Sequence, residues 1–362
     1  MAVVLTSYYR PKPGGCCKRY FRAIRALLEQ GHTVHYLAVS PFPVNHPHCH
    51  FHRFPWPQNK TENLFFWGVF FLFAPLQLLF LGLRLRVTHL FAFDSLYVFL
   101  LQPLRFFRQI PLSFFVRGDA MEQHRLKAHG KFVILAETIT EAMAIAHVRM
   151  YGVSETLQKN IFCRHRFFRP VSAQVFPNEI PQLNFVRSHK LAFPLHMACV
   201  GILEKRKNQS FIIDCMAHID AASARLYLYG SGPDETALRR QATELNLQGQ
   251  VVFAGWIEAE QLWPQVDLLL FPSLLEGAPN AILEAIACDV AVLASDIPEH
   301  REILPAAHLL DSDDRQVWIE RIQTLIQEKE TGLRLLREEQ AQHTARLRFD
   351  WDAEVVKKIL AS

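Results

Sequence analysis

Several signatures that define protein classes are missing from these 362 residues. The seven cysteines include no C-x-x-C pair, so neither a zinc ribbon nor a disulfide framework is indicated, and reduced cysteines in a cytosolic protein are the simplest interpretation. The opening MAVVLTSYYRPKPGG has no basic segment followed by an apolar one, so no secretion signal is predicted. A disordered protein is also excluded, because half of the residues are apolar and only a fifth are charged.

Phosphate and metal motifs are scarce as well. The chain has neither a G-x-G-x-x-G string nor a Walker lysine pattern. No D-x-D string follows a predicted strand end, and the one at Asp311 to Asp313 lies in a late polar turn. One short segment is rich in possible zinc ligands, namely His46, His48, Cys49, His50 and His52. Pro47 interrupts their spacing, so no metal site is predicted.

Basic residues are concentrated in the first half of the chain. Met1 to Asn178 contains 21 Lys and Arg against 8 Asp and Glu, a formal charge of +13, whereas the remainder carries −9. This asymmetry indicates that the first half meets an anionic partner, which could be nucleic acid, a membrane surface or a phosphorylated substrate. Arg164, Arg166 and Arg169 are interleaved with Phe167 and Phe168, a pattern that suits RNA or a lipid headgroup surface equally well.

One uncharged run, Leu64–Leu83, is long enough to span a membrane. Short buried strands are predicted on both sides of it, at Val3–Leu5 and Thr88–Phe91, and a single crossing would separate them across the bilayer. We therefore favour a helix that packs on the sheet and rests an apolar outer face in the membrane interface. A spanning helix and a helix wholly buried in the domain are the alternatives.

Strand and helix patterns alternate through both halves, which predicts an α/β protein with two Rossmann-like domains built on parallel sheets. The predicted strands are VVLTSYY, TVHYLAV, HFH, THLFAF and PLSFFV in the first half, and HMACVG, ARLYLYG, VVFAG, VDLLLFP and VAVLAS in the second. The charge changes sign near Asn178, so the domains are assigned to residues 1–175 and 176–345. The pattern alone does not place the last helix, in residues 346–362.

Two loops at predicted strand ends carry groups that suit phosphate, because ligands of such sheets bind at the carboxyl ends of strands. Gly14 and Gly15 follow the first strand and open a helix, whose N-terminus favours an anion, although a plain turn explains them equally well. Lys205 to Lys207 follow a later strand, where a cation can neutralise a leaving phosphate; a solvated basic turn is the alternative.

A third loop, in the second half, carries two carboxylates. Glu276 and Glu284 flank a turn and the beginning of a helix from about Ala281. Carboxylates that are held in such a loop need hydrogen-bond donors, which the hydroxyl groups of a ribose and a sugar would provide. A solvent-exposed loop would explain one of these two glutamates, but it explains poorly the whole segment that carries both.

The strings ACVGILEKRKNQ, LYLYGSGPDE, VVFAGW and FPSLLEGAPNAILEAIACDVAVLASDIPEHREIL resemble, in order and spacing, the family 4 (group 1) glycosyltransferases of GT-B fold. SYYRPKPGG, GHTVHYLAV, YGVSETL and VFPNEI in the first half are similar to further segments of that family. The resemblance implies two Rossmann-like domains whose sheets face each other across a cleft. It also implies that the second domain binds most of a nucleotide-sugar, the first binds the acceptor, and the last helix returns to the first domain.

The resemblance also assigns roles to residues of the second half. Glu284 corresponds to the glutamate that binds the nucleotide ribose, and Glu276 to the one that faces the donor sugar. The backbone at Ala278, Asn280 and Ala281 corresponds to the segment that holds the diphosphate.

Further assignments concern cations and glycines. Lys207 corresponds to the phosphate-binding lysine, with Arg206 as an additional cation. Gly14 and Gly15 match the loop beneath the diphosphate, and Gly230 lies in a further nucleotide-binding string.

Two positions depart from the family pattern. Ile202 stands where the family usually has an arginine, so one phosphate cation is missing unless Arg206 compensates. Arg117 stands where a histidine usually contacts the donor sugar, so Arg117 is expected to contact the sugar or a phosphate. Glu276, Lys207 and Arg117 are thus the expected catalytic residues.

The predicted activity is metal-independent transfer, with retention, of a sugar from a nucleotide-sugar that is UDP-linked, although GDP is not excluded. No cofactor is expected, and the acceptor is a lipid-linked or cell-envelope glycan at the inner, cytoplasmic face of an anionic membrane. A non-catalytic sugar-nucleotide or glycan-binding relative is the alternative, given Ile202 and Arg117. A nucleic-acid-binding protein is disfavoured, because charge alone supports it.

Overall fold

A computed structural model describes residues 1–11, 15–61, 63–122, 130–183, 191 and 193–361. The chain forms two compact units, of which one comprises Met1–Pro177 and Asp350–Ser362 and the other Asn178–Phe349. The sequence predicts these divisions after residues 175 and 345, so they lie two and four residues later than predicted. The last helix is part of the N-terminal unit.

The described residues of the N-terminal unit form a seven-stranded parallel sheet. Its strands are β1 (Val3–Ser7), β2 (Thr33–Ala38), β3 (Cys49–Arg53), β4 (His89–Phe93), β5 (Leu112–Val116), β6 (Arg149–Gly152) and β7 (Ser172–Val175). They lie in the order β3-β2-β1-β4-β5-β6-β7. The sequence predicted five of these strands and missed β6 and β7. Both are four residues long, and β7 is polar and largely exposed.

Helices cover both faces of this sheet. They are α1 (Gly15–Glu29), α2 (Leu64–Arg84), α3 (Ser95–Arg108), α4 (Lys131–Ile145), α5 (Glu155–Arg164) and α13 (Trp351–Leu360). Helices α2, α3 and α4 pack side by side on one face, and α1 and α13 pack together on the other. All five residues of β5 are buried, as expected for a parallel strand covered on both sides.

Helix α2 is neither wholly buried nor separated from the sheet. It is the one helix, among the described residues, that is long and apolar enough to cross a membrane. Phe66, Phe70 and Leu78 are completely buried against the unit, whereas Leu72 and Phe80 are 64% and 61% exposed. The alternative of a fully buried helix is therefore wrong, and β3 and β4, which flank α2 in the chain, lie in one sheet.

The described residues of the C-terminal unit form a six-stranded parallel sheet. Its strands are β8 (Leu195–Val200), β9 (Ala224–Tyr229), β10 (Val251–Gly255), β11 (Leu268–Phe271), β12 (Ala291–Ser295) and β13 (Leu309–Leu310). Their order is β10-β9-β8-β11-β12-β13. Side chains alternate between the two faces: Leu268 and Leu270 enter one core cluster, and Leu269 and Phe271 enter the other.

The α-helices of this unit connect successive strands, and the last of them follow the final strand. They are α6 (Gln209–Met216), α7 (Glu235–Glu244), α8 (Ala259–Leu262), α9 (Asn280–Ala287), α10 (Pro298–Arg301), α11 (Arg315–Glu328) and α12 (Glu330–His343). Short 3-10 helices cover Lys205–Lys207, Trp263–Gln265, Ala306–His308 and Ala345–Leu347. Because the chain builds outward from β8 to β10 and then returns to β11 on the other side of β8, the sheet has a switch point between β8 and β11.

Aromatic and ionic contacts attach the last helix to the N-terminal unit. Trp351 is completely buried, stacks on Phe176 at 5.5 Å between ring centroids, and lies under the guanidinium groups of Arg19 and Arg22. Arg22 also pairs with Asp352 of α13, at 2.6 Å from Nε to Oδ1.

We expect Trp351→Ala to lower the free energy of unfolding of the N-terminal unit by about 3–5 kcal/mol, because it removes a fully buried aromatic ring. Denaturant titration followed by circular dichroism measures the change. Lys357→Ala, which alters an exposed side chain of the same helix, serves as the control and should change stability by less than about 0.5 kcal/mol. A loss below about 1 kcal/mol for Trp351→Ala would contradict the anchoring role.

Candidate functional site

The loops after β8 and β11 meet at the switch point of the C-terminal sheet, and a buried ion pair joins them. Nζ of Lys207 lies 2.5 Å from Oε1 of Glu276, and Nη1 of Arg206 lies 3.5 Å from Oε2 of the same carboxylate. Glu276 is 6% exposed and the Lys207 side chain 11%. The structure thus brings together three of the residues that the sequence singled out.

Both members of the pair are held in their charged forms. Burial alone would raise the pKa of Glu276, but the Lys207 ammonium and the Arg206 guanidinium outweigh it and hold that pKa below its ordinary value. Burial lowers the pKa of Lys207, and Glu276 opposes this effect. The ammonium also lies 4.4 Å from the centroid of the Phe271 ring at the end of β11. A buried cation is therefore held at the carboxyl edge of the sheet, where an anionic ligand would bind.

Two glycines let the neighbouring loops pack backbone against backbone behind Lys207. A Cβ atom on Gly230, at the end of β9, would lie 2.0 Å from the carbonyl oxygen of Gly201, and one on Gly232 would lie 2.3 Å from that of Leu203. Gly230 also has a φ of +133°, which favours glycine. In the structure Gly230 thus packs against the backbone of the turn that leads to Lys207.

The turn after Glu276 and the first residues of α9 expose backbone donors. The N–H groups of Ala278 and Ala281 have no acceptor among the described residues, whereas the N–H of Asn280 bonds to the Ala278 carbonyl. The Asn280 side chain accepts a hydrogen bond of 2.7 Å from Asn178. Helix α9 begins at Asn280, one residue before the predicted start. Free N–H groups at a helix N-terminus are suited to an anion.

Glu284 lies one turn into α9 and is half-buried. The indole nitrogen of Trp263 is 3.4 Å from its Oε2 atom, and Trp263 is itself completely buried. Sequence reasoning identified the carboxylate but missed the tryptophan, because the two residues are 21 positions apart and no local pattern connects them.

His300 is a second residue that the sequence analysis missed. It is completely buried, its ring lies 5.4 Å from that of Phe271, and Nδ1 bonds to the Ser295 carbonyl at 2.8 Å. Its Nε2 atom has no partner among the described residues. Burial lowers the pKa of His300 to about 4, so the ring is neutral at pH 7. The residue supports the ends of β11 and β12 beside the ion pair.

The N-terminal unit holds the remaining predicted residues. Arg117 follows β5 and donates from Nη1 to the Phe176 carbonyl at 3.0 Å. It lines a cavity of about 200 Å³ together with Cys16, Asp94 and Glu141. Gly15 is the first residue of α1 and is exposed, and Gly14 lies outside the described residues.

Asp94 and Glu141 line that cavity and Glu137 interacts with both, a cluster of carboxylates that is absent from the sequence-based site. Ser95 donates to Oε1 of Glu137 at 2.8 Å, and burial, reinforced by Asp94, raises the pKa of Glu137 to about 7. Arg164 pairs with Asp119 at 2.7 Å and with Glu141 at 2.9 Å. Among the described residues, no three His, Cys, Asp or Glu side chains are placed to hold a metal ion.

Residues 194–328, which contain the ion pair and α9, match the family described as glycosyl transferases group 1. The match spans β8 to the end of α11, which is less than half of the chain. The chain has the GT-B fold, since both sheets are parallel and solved structures align over nearly its whole length. HepE of Anabaena, solved with UDP and glucose, covers 99% of the chain and 98% of its own length at a TM-score of 0.75 and 17% identity.

Curated relatives of the chain align over shorter segments. The N-acetylgalactosamine-N,N'-diacetylbacillosaminyl-diphospho-undecaprenol 4-alpha-N-acetylgalactosaminyltransferase of Campylobacter jejuni is 30% identical over 98 residues, 27% of each chain. A GDP-mannose-dependent monoacylated alpha-(1-6)-phosphatidylinositol monomannoside mannosyltransferase of Corynebacterium glutamicum is 29% identical over 175 residues, 43% of this chain and 45% of its own. The chain thus spans less than half the length of these relatives.

We expect Lys207→Met to destabilise the C-terminal unit by about 3–5 kcal/mol, because it leaves Glu276 buried without its cation. Lys207→Met/Glu276→Leu should recover most of this loss in chemical denaturation, since both charges are then removed. The Lys207–Glu276 pair stabilises the folded unit at pH values above the ordinary pKa of a glutamate. This stabilisation is lost as the pH falls through the depressed pKa of Glu276. In Lys207→Met the loss should begin at higher pH. Equal stability of the single and double variants would contradict the coupling.

We expect Gly230→Ala to destabilise the same unit by at least about 2 kcal/mol, because the added methyl group would meet the Gly201 carbonyl. Gly249→Ala is the matched control, since a Cβ atom there meets nothing within 4 Å. Thermal unfolding of both variants measures the difference, and equal melting temperatures would show that the backbone contact is not required.

Proposed function

We propose that the protein is a retaining glycosyltransferase that moves a sugar from a nucleotide-sugar, UDP-linked, to a lipid-linked or cell-envelope glycan acceptor. The observation that carries this proposal is the Lys207–Glu276 pair at the switch point, beside the free N–H groups of Ala278 and Ala281. A buried cation and unpaired backbone donors suit a diphosphate, and a carboxylate held beside them suits sugar hydroxyls.

We propose the following transfer step at these groups. The bond between the anomeric carbon and the diphosphate oxygen breaks, and its electron pair leaves with the diphosphate. The acceptor hydroxyl oxygen forms the new bond on the same face of the sugar, and its proton passes to the departing phosphate oxygen. Lys207, Arg206 and the α9 amides stabilise the charge that develops on the diphosphate, so the proposed reaction needs neither a metal nor a cofactor.

Other residues complete the proposed donor site. Glu284, oriented by the Trp263 indole, binds the ribose hydroxyls. Gly230 allows the β9 loop to lie close to the nucleotide. Asn280, whose own N–H bonds to the Ala278 carbonyl, is assigned to the diphosphate-binding segment on the family resemblance alone. Gly15 and the adjacent Gly14 are assigned to the diphosphate, and Arg117 to the donor sugar or a phosphate, on the family resemblance alone.

The substrate classes rest on similar proteins. HepE was solved with UDP and glucose, which supports a UDP-linked donor. The Campylobacter relative is named for a diphospho-undecaprenol substrate, which supports a lipid-linked acceptor. The formal charge of +13 over Met1 to Asn178 supports work on an anionic membrane, which we assign to the inner, cytoplasmic face.

A non-catalytic nucleotide-sugar or glycan-binding relative is the second candidate. Ile202, where the family usually has an arginine, is 43% exposed and supplies no charge. Arg117 is engaged with the Phe176 carbonyl. Such a protein would bind a nucleotide-sugar without turning it over.

The proposed function predicts that UDP or a UDP-sugar raises the melting temperature by several degrees, because a ligand that binds only the folded state stabilises it. ADP and GDP should shift it less. Glu284→Ala should remove the shift, while Glu320→Ala, which removes an exposed carboxylate on α11, should retain it. Differential scanning fluorimetry measures both.

Turnover separates the two candidate functions. Release of UDP from a UDP-sugar in the presence of a polyprenyl-diphosphate glycan supports the transferase, and its loss in Lys207→Met assigns the leaving-group role. A nucleotide-dependent shift without turnover on any lipid-linked acceptor supports the binding relative. A folded sample that responds to no nucleotide would contradict both.

A further inference from the structure

We propose that the outer face of the α2–α3–α4 layer is a docking surface for a bilayer that contains anionic phospholipids. This inference deepens the lipid-linked acceptor part of the proposed function and does not depend on the donor. We call this surface the layer face; it consists of the side chains of the three helices that point away from the sheet.

Helix α2 contributes a continuous apolar stripe to the layer face. Leu72, Leu76 and Phe80 are spaced four residues apart and are 64%, 60% and 61% exposed. Gln77 is the one polar side chain between Leu64 and Leu83, and it is half-buried and bonded to the Arg53 carbonyl. A water-exposed stripe of this length on a monomer marks an interaction surface.

Helices α3 and α4 continue the same apolar surface. Helix α3 packs against α2, with the Phe71 and Phe99 rings 5.7 Å apart, and against α4 on its other side. At the end of α3, Phe106 and Phe107 are 79% and 68% exposed. On α4, Leu135, Ile139 and Met143 are exposed at four-residue intervals. Its two glutamates are engaged inward, with Ser95 and with Arg164.

Unpaired arginines border the layer face at one edge. Helices α2 and α3 both lead from the carboxyl end of one strand to the amino end of the next parallel strand, so their last turns lie at the same edge of the sheet. That edge carries Arg84, Arg86, Arg105 and Arg108. None of the four forms an ion pair with any described residue. Long cationic side chains beside an apolar surface reach phosphate headgroups while their stems stay in the interface.

The charge pattern selects the occupant. A second copy docked through this face would bring uncompensated arginines of both copies to one apolar contact, whereas an anionic bilayer neutralises them. A spanning α2 is inconsistent with its buried inner side, where Phe66 and Phe70 are completely enclosed. An in-plane helix with one face packed on protein and the other in the interface accounts for both sides.

Vesicle flotation of the full chain tests this surface. The wild-type protein should float at low salt with vesicles of phosphatidylethanolamine and phosphatidylglycerol, and much less with phosphatidylcholine. Leu72→Gln/Leu76→Gln/Phe80→Gln should reduce binding at least roughly tenfold, because three exposed apolar side chains no longer enter the interface. Arg84→Gln/Arg105→Gln/Arg108→Gln should reduce binding by about tenfold or more and flatten its dependence on salt.

Matched variants in the C-terminal unit control for general changes in polarity and charge. Leu245→Gln/Val317→Gln/Leu335→Gln removes three exposed apolar side chains, and Arg225→Gln/Arg240→Gln/Arg334→Gln removes three exposed arginines. Both should bind vesicles as the wild type does. Equal binding by the wild type and the α2 variant would overturn the inference, as would wild-type protein that fails to float.

Two further outcomes would also overturn it. Resistance of membrane-bound protein to alkaline carbonate extraction would indicate a spanning helix. A wild-type dimer that the α2 variant converts to a monomer, with no vesicle binding by either, would make a second copy the occupant. The melting-temperature shift with nucleotides separates this inference from the proposed function. Flotation without any shift would support the membrane-docking surface and contradict the transferase. A shift without flotation would support a nucleotide site and contradict the docking surface.

Discussion

The buried Lys207–Glu276 pair is the constraint on which the candidate site depends. Its members lie in the loops that follow two adjacent strands, β8 and β11, and are 69 positions apart in the chain. Removing both charges from water is costly, so the pair is tolerated only where further groups complete its surroundings. Arg206 approaches the carboxylate from a second side, and Phe271 lies beneath the ammonium. The neighbouring elements are arranged around these two charges: His300 braces the strand ends, and Gly230 packs on the turn before Lys207.

The N-terminal unit uses the same topology for different chemistry. Its sheet also has a switch point, between β1 and β4, because β2 and β3 lie on one side of β1 and β4 on the other. The loop after β4 carries Asp94 at a φ of +112°, a conformation that non-glycine residues seldom adopt. Glu137 and Glu141 face this region, so the carboxyl edge of this sheet is rich in carboxylates, although the unit as a whole is basic. Its excess cations lie elsewhere, and four of them border the layer face.

Much of the fold was readable from the sequence, and the reasons are local. Buried strands such as β5 and β11 are short apolar runs, and their alternation with helical windows is sufficient to predict two parallel sheets. Strands β6 (RMYG) and β7 (SAQV) were missed because they lack the continuous apolar run that marks β11, and β13 was missed because it has only two residues. Composition also left open how α2 is buried, since a helix that is apolar all round gives no sign of which side packs on the sheet.

The residues of the candidate site were also predictable only in part. Glu276, Glu284 and Lys207 stand out because charged residues at strand ends are conspicuous in sequence. The contacts that hold them are long-range, so Trp263 beside Glu284 and His300 beside Phe271 became visible only in three dimensions. The ion pair itself belongs to this second group.

The contact between Gly230 and Gly201 has a consequence for how such a site can diversify. Because a side chain at Gly230 would occupy the space of the Gly201 carbonyl, this position is closed to substitution whatever ligand the protein binds. Variation in ligand preference must then arise where side chains already project freely. Ile202, next to Gly201 in the chain and 43% exposed, is such a position. The backbone contact thus keeps Gly230 unchanged and limits substitutions to exposed positions around the site.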